Sequence, residues 1–330
     1  MKQMEQVVLP ELYCPFPPAN NEHADTVHRE TVEWAWHLGL LSNDQAYHLF
    51  RGTNIGRLAA RFHPDALRED LRLLSDWYAW MFLRDDRCDD SEIGEHPEHL
   101  AVGDARFLEV LKGEEPTRRD EPLTHAMHDL RRRLFPRASD AWTRRFLRTV
   151  KEHFQSSLWE ATNRARGVVP DLETYLRMRR ITGGILVDLD LIEVIEGLRL
   201  PPETRQHHTV RSLARASNNV ACWANDLFSL EKELERGDVH NLVVVLRHAE
   251  GLTLQEAINL GVRMHNAEVH RFVELESRLP AFGRTLDANL ARYVKALRTR
   301  MRGNLDWARE SERYRRRAQT GSVGIATEVA

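Results

Sequence analysis

A chain of 330 residues, 42% of them hydrophobic, can bury a substantial core, and its composition excludes a disordered or collagen-like polymer. Forty-seven basic against 50 acidic residues leave a net charge of −3, so there is no general polycation to hold nucleic acid. Three cysteines (Cys14, Cys88 and Cys222) are too few and too widely spaced for a disulfide framework or a zinc site. Met1–Tyr13 lacks the apolar run of a signal peptide, and no stretch reaches the ~20 apolar residues of a membrane span, so a soluble cytoplasmic protein is expected.

Residues 1–22 are expected to form an N-terminal strap: Pro10, Pro15, Pro17 and Pro18 forbid a helix, and Tyr13 and Phe16 are its anchors. From Ala24 the apolar positions Val27, Val32, Trp34, Ala35 and Leu38 recur at helical spacing until Gly39. Leu58 to Phe62 follow. A long amphipathic helix is then expected to start at Pro64 and carry Leu67, Leu71, Leu74, Trp77, Tyr78 and Met81. The Gly-, Pro- and charge-rich stretch from Asp90 to His99 reads as an exposed loop. Helical patterns resume at 100–112, 121–135, 139–166, 171–200, 202–235, 253–279 and 281–317. Only Asn241 to Leu246 looks like a strand, and short apolar runs are ambiguous with buried helix. With no internal repeat or linker, the expected fold is a single all-α domain over 23–317, followed by a frayed tail at 318–330.

The long helix ends in Asp85-Asp86-Arg87-Cys88-Asp89-Asp90, four carboxylates inside six residues. Asp85 and Asp89 stand at i and i+4 and so share a helix face, with Phe82 and Met81 one turn deeper. Clustered carboxylates repel unless a cation joins them, and hard oxygen ligands suit Mg²⁺. Alone, the cluster reads equally as a solvated helix end.

A second stretch changes that balance. Asn225, Ser229 and Glu233 stand at i, i+4 and i+8, which places an amide oxygen, a hydroxyl and a carboxylate along one helix face. A donor set of oxygens, without sulfur or imidazole, again selects a hard cation. Taken singly, this is also an ordinary polar helix face.

Together, Asp85-Asp86-Arg87-Cys88-Asp89 and Asn225-Asp226 through Ser229 to Glu233 resemble the aspartate-rich and N-D-x-x-S-x-x-x-E motifs of the bacterial class I terpene synthases. The resemblance covers the length of one catalytic domain. It implies a bundle of antiparallel helices around an apolar cavity, with the two motifs facing each other across its mouth and holding three Mg²⁺ ions against a substrate diphosphate. Asp86 and Asp90, beside the first ligands, are read as substrate-binding.

Other residues match where the family would place them. Arg179, 46 residues before Asn225, resembles the pyrophosphate-sensor arginine, with Thr182 as linker and Gly183 as effector. Some relatives carry Asp at the linker, so Thr182 is a departure. Gly183 and Gly184 inside a helix cost about 1 kcal/mol each relative to alanine, which favours a break that frees carbonyl oxygens; close helix packing is the other reading. Lys232, Arg313 and Tyr314 match the family's diphosphate donors, and arginine's planar fork suits phosphate oxygens. Phe82 and Trp307 hold positions that line the pocket. Trp77, Tyr78, Leu58 and Phe62 are weaker choices, because aromatic stripes are more often plain core.

The reaction implied is Mg²⁺-dependent ionisation of a linear isoprenoid diphosphate, followed by cyclisation of the cation in a dry cavity. A C15 substrate, farnesyl diphosphate, is expected, with C20 geranylgeranyl diphosphate second and C10 third. The cation is expected to end by proton loss, with diphosphate itself as the acceptor, or by capture of one water. A chain-elongating prenyltransferase is the nearest rival, but it usually carries two aspartate-rich motifs; a non-catalytic helical scaffold is the rival from another class. The partners expected are the small-molecule diphosphate and a second copy of the chain in a homodimer, without nucleic acid or membrane.

Overall fold

The computed structural model describes residues 5–90, 97–315 and 323–325. Fifteen α-helices run through the described residues: α1 (Ala24–His37), α2 (Asp44–Gly52), α3 (Ile55–Phe62), α4 (Arg68–Asp90), α5 (Pro97–Lys112), α6 (Pro122–Leu134), α7 (Asp140–Arg166), α8 (Leu172–Thr182), α9 (Ile185–Ile195), α10 (Pro202–Gln206), α11 (His208–Arg236), α12 (Leu242–Glu250), α13 (Leu254–Ser277), α14 (Arg284–Glu310) and α15 (Glu312–Arg315). Side chains local to each helix set several of the starts. Ser139 accepts from the Trp142 amide ahead of α7, Asp171 from the Thr174 amide ahead of α8, and Thr253 with Glu256 closes a capping box on α13.

Several boundaries differ from the sequence reading. The long helix begins at Arg68 rather than Pro64, because the Asn21 side-chain amide donates to the carbonyls of His63 (3.2 Å), Pro64 (3.2 Å) and Ala66 (2.8 Å), fixing a turn there. Helix α5 already starts at Pro97, inside the stretch read as loop. Residues 171–200 divide at Gly183–Gly184 into α8 and α9. The strand-like run 241–246 is helical: Asn241 caps α12 through the Val243 amide (2.8 Å), and Leu242, Val243, Val245 and Leu246 are all buried, which explains an apolar pattern without period. At the chain ends, β1 (Glu5–Val7) pairs antiparallel with β2 (Val323–Ile325), so three residues of the segment expected to fray are in a ladder.

The core has three main parts. One packs α1, α3 and α4 against α5, α6 and α7 around Trp77, Trp80, Phe107 and Phe146. A second joins α8, α11, α12 and α13, and a third joins α9, α11, α13 and α14. Between them lies a cavity of about 1380 Å³, the open space at its mouth included, walled chiefly by α4, α7, the α8–α9 junction, α11 and α14. No helix among the described residues is long and apolar enough to cross a membrane.

Candidate active site

The last turns of α4 form one side of the mouth. Asp85 lines the cavity with its side chain 56% exposed, above Phe82 and Met81. Asp86, on the adjoining face, does not line the cavity; it accepts both terminal nitrogens of Arg313, at 2.7 and 2.8 Å, with Lys232 Nζ at 3.6 Å. Burial alone would raise the Asp86 carboxyl, but the Arg313 guanidinium holds it below the usual carboxylate range. The same guanidinium stands 4.9 Å over the Phe82 ring. Asp89 and Asp90 end α4, and their side chains lie outside the described residues.

Opposite, α11 presents Asn225, Ser229 and Glu233 to the cavity. Asn225 Oδ1 accepts from Arg179 at 2.9 Å, and its amide nitrogen meets the Tyr314 hydroxyl at 2.6 Å. Ser229 Oγ donates to the Asn225 carbonyl at 2.7 Å, which leaves its lone pairs for a ligand. Glu233 accepts from the Asn241 side chain at 2.7 Å. Burial, reinforced by the charges of Asp226 and Asp238, pushes the Glu233 carboxyl up to about 7. A carboxylate crowded in this way is relieved by a cation, and the oxygens of Asp85, Asn225, Ser229 and Glu233 are of the kind that holds Mg²⁺.

Asp226, one residue along from Asn225, points into the protein and organises the site from behind. It is fully buried and accepts from the Tyr175 hydroxyl, from Arg179 Nε at 2.9 Å and from the Leu242 amide at 3.2 Å. Burial would lower the Arg179 guanidinium, but the Asp226 carboxylate carries it well above its ordinary value. Arg179 is therefore a permanent cation tied to the residue that faces the cavity.

The helix break has two causes, one per glycine. Gly184 takes a left-handed conformation, φ 71°, which ends the α8 path and starts α9. At Gly183 the φ is ordinary, but a Cβ there would stand 2.3 Å from Cys222 Sγ on α11. Break and close packing, which the sequence left as alternatives, occur together. Thr182 is buried in the cavity wall, and its hydroxyl has no hydrogen-bond partner among the described residues.

Trp307 meets Phe82 edge-on at 5.5 Å and Tyr314 at 5.5 Å. Its indole donates to the Thr53 carbonyl at 2.8 Å, and Ser311 donates to the same oxygen at 2.9 Å, so the α2–α3 junction anchors the segment carrying Arg313 and Tyr314. Leu58, Phe62, Trp77 and Tyr78 also line the wall. At the cavity floor Asp188 accepts from Arg300 and from the Tyr78 hydroxyl, while His63 Nε2 lies 3.1 Å from that hydroxyl and 2.9 Å from Arg300.

Sequence reasoning gave no role to Asp226, Asp188, His153 or Cys222. Asp226 lay inside a recognised motif, and its helical offset from the Asn225–Ser229–Glu233 face was the available signal. The others sit in apolar helical runs whose partners are distant in sequence.

A helical bundle closed around an aromatic cavity, with a carboxylate turn facing an Asn-Ser-Glu helix face across its mouth, defines a class I terpene synthase. The chain belongs to the terpene synthase family: residues 76–271 match the family described as terpene synthase family 2, C-terminal metal binding. It is 40% identical to the germacrene A synthase of Nostoc punctiforme over 94% of this chain and 96% of that protein. It is likewise 40% identical to the (+)-T-muurolol synthase ((2E,6E)-farnesyl diphosphate cyclizing) of Roseiflexus castenholzii, over 94% and 95%. The crystal structure of germacradien-4-ol synthase from Streptomyces citricolor superposes with a TM-score of 0.81 at 26% identity, covering 91% of this chain and 98% of that one.

Proposed function

We propose that this terpene synthase takes farnesyl diphosphate, ionises it at the mouth and cyclises the resulting cation to a sesquiterpene hydrocarbon or alcohol. One observation carries the reading: Asp85 of α4, the Asn225–Ser229–Glu233 face of α11 and the donors Arg179, Lys232, Arg313 and Tyr314 converge on one mouth of an aromatic-walled cavity. Asp85, Asn225, Ser229 and Glu233 are the residues that would hold Mg²⁺, and the family resemblance implies three ions. Bound there, Mg²⁺ supplies positive charge that lowers the cost of diphosphate departure.

The chain's own groups do the rest. Arg179, fixed by Asp226, donates toward the diphosphate without giving up a proton, and Arg313, Lys232 and Tyr314 close over it from the other side. Thr182, Gly183 and Gly184 line the cavity beside Arg179. Phe82 and Trp307 shape the folded chain and face the cation with π density. The apolar wall excludes water, which delays capture. The relative named for cyclisation of farnesyl diphosphate supports the C15 choice. A thermal-shift titration tests the site: Mg²⁺ with inorganic diphosphate is expected to raise the melting temperature of the wild type and not of Asn225→Ala. Equal shifts in both proteins would remove the assignment.

A further inference from the structure

Cyclisation to a hydrocarbon ends with loss of a proton, so the cavity needs an acceptor at the cation. The wall contains two histidines, His153 and His240. Both ring nitrogens of His240 are engaged, Nδ1 at 3.0 Å from Asp238 Oδ1 and Nε2 at 3.2 Å from the Asn163 amide. His153 differs. Its Nδ1 lies 3.1 Å from the Ile181 carbonyl, which can only accept, so Nδ1 carries the proton and Nε2 the lone pair. Nε2 has no hydrogen bond among the described residues, yet it is not sealed in the core, because the ring is part of the cavity wall beside Gly184 and Met81.

The other groups in the wall are worse acceptors. Asp188 is occupied by Arg300 and Tyr78. The Cys222 thiol is pushed up to about 12 by burial, so it stays protonated. Glu160 is on the same face of α7 as His153 but two turns along, ~10 Å away, among the charged groups Arg164 and Asp238. The diphosphate is released at the mouth, whereas His153 faces the helix break.

We infer that His153 Nε2 is the base that takes the terminal proton from the cyclic cation. This rests on the cyclase reading above. The C–H bond beside the cationic carbon breaks and its electron pair closes the new C=C bond. The proton bonds to Nε2, giving an imidazolium, and positive charge passes from carbon to the ring. When the neutral olefin leaves and water re-enters, the imidazolium returns its proton to solvent. Burial, with the charges of Arg84 and Arg179 nearby, pushes the His153 imidazole down to about 3, so the free base is the resting form.

Products of farnesyl diphosphate with wild type, His153→Ala and His153→Leu are compared per diphosphate released. In both variants the ratio of the principal olefin to all other products is expected to fall about a hundredfold, the low end of what a positioned proton acceptor contributes. The lost share is expected as alcohols or olefin isomers, and added imidazole should restore the wild-type ratio in His153→Ala in proportion to its concentration. A wild-type ratio retained in both variants overturns the inference. Should the variants not fold, ¹⁵N spectra of the intact wild type still decide: a proton on Nδ1 and a bare Nε2 support it, and the opposite tautomer overturns it. A wild type that makes no product at all would instead defeat the cyclase reading.

Discussion

At the floor of the cavity, Asp188 is bonded to Arg300 and Tyr78, with His63 closing the circle, and all four side chains are buried. At the mouth, Asp85 is 56% exposed, and the nearest guanidinium, Arg313 at 4.0 Å, is already committed to Asp86. Both regions set an aspartate near an arginine, but the coordination differs. Asp188, Arg300 and Tyr78 satisfy one another, as a buried network must if it is not to cost stability, while His63 Nδ1 stays without a hydrogen bond among the described residues, 3.9 Å from Glu196. Mouth groups keep unused lone pairs: Ser229 spends its proton on the Asn225 carbonyl, and Glu233 is crowded by like charge. Mutual satisfaction marks a structural cluster, and leftover coordination marks a site.

The largest effects should follow that division. Asp85→Ala and Asn225→Ala are expected to lower turnover by about a thousandfold or more while leaving the helical circular dichroism intact. Wild-type rates in either variant under limiting Mg²⁺ would erase the distinction. Arg300→Met, at the floor, should destabilise by about 3–5 kcal/mol in urea unfolding, because it strands the Asp188 carboxylate. A variant as stable as wild type would show that the floor is not a closed network.

Acid should act on the floor as well. Burial is the main reason His63 is lowered from 6.5 to about 4, so on acidification the unfolded chain binds its proton first. Stability from this group is full above about 6.5 and is lost as pH falls to about 4, by roughly 3 kcal/mol. The slope should flatten in His63→Gln, measured by chemical denaturation across that range. At the junction between the two regions, Gly183→Ala drives a methyl onto Cys222 Sγ and should cost about 1–3 kcal/mol, partly recovered by adding Cys222→Ala. Additive costs would mean the close approach is not the cause.

The smallest effect on rate belongs to the wall. Phe82→Ala and Trp307→Ala should change product ratios more than diphosphate release, since an aromatic face guides the cation by about 0.5–2 kcal/mol while the mouth drives ionisation. Gas chromatography beside a diphosphate assay separates the two.

Much of this was legible in the chain. The helical class, Asp85, the Asn225–Ser229–Glu233 face and the break at Gly183–Gly184 are local in sequence, where spacing alone carries geometry. The start of α4 was not, because it depends on Asn21 capturing carbonyls more than 40 residues away. The helix α12 was misread for a related reason: burial on every side removes the periodicity by which helix and strand are told apart. Asp86 illustrates the limit within a motif. Its place in the aspartate cluster gives no sign of its ion-pair partner Arg313, 227 residues downstream.

Cyclisation of a C15 diphosphate is read out by incubating the pure protein and Mg²⁺ separately with the C10, C15 and C20 linear diphosphates and analysing the organic layer by gas chromatography with mass detection. A cyclic C15 hydrocarbon or alcohol from farnesyl diphosphate is the predicted result. Longer linear diphosphates after addition of the C5 co-substrate, or no product from any of the three, would contradict it.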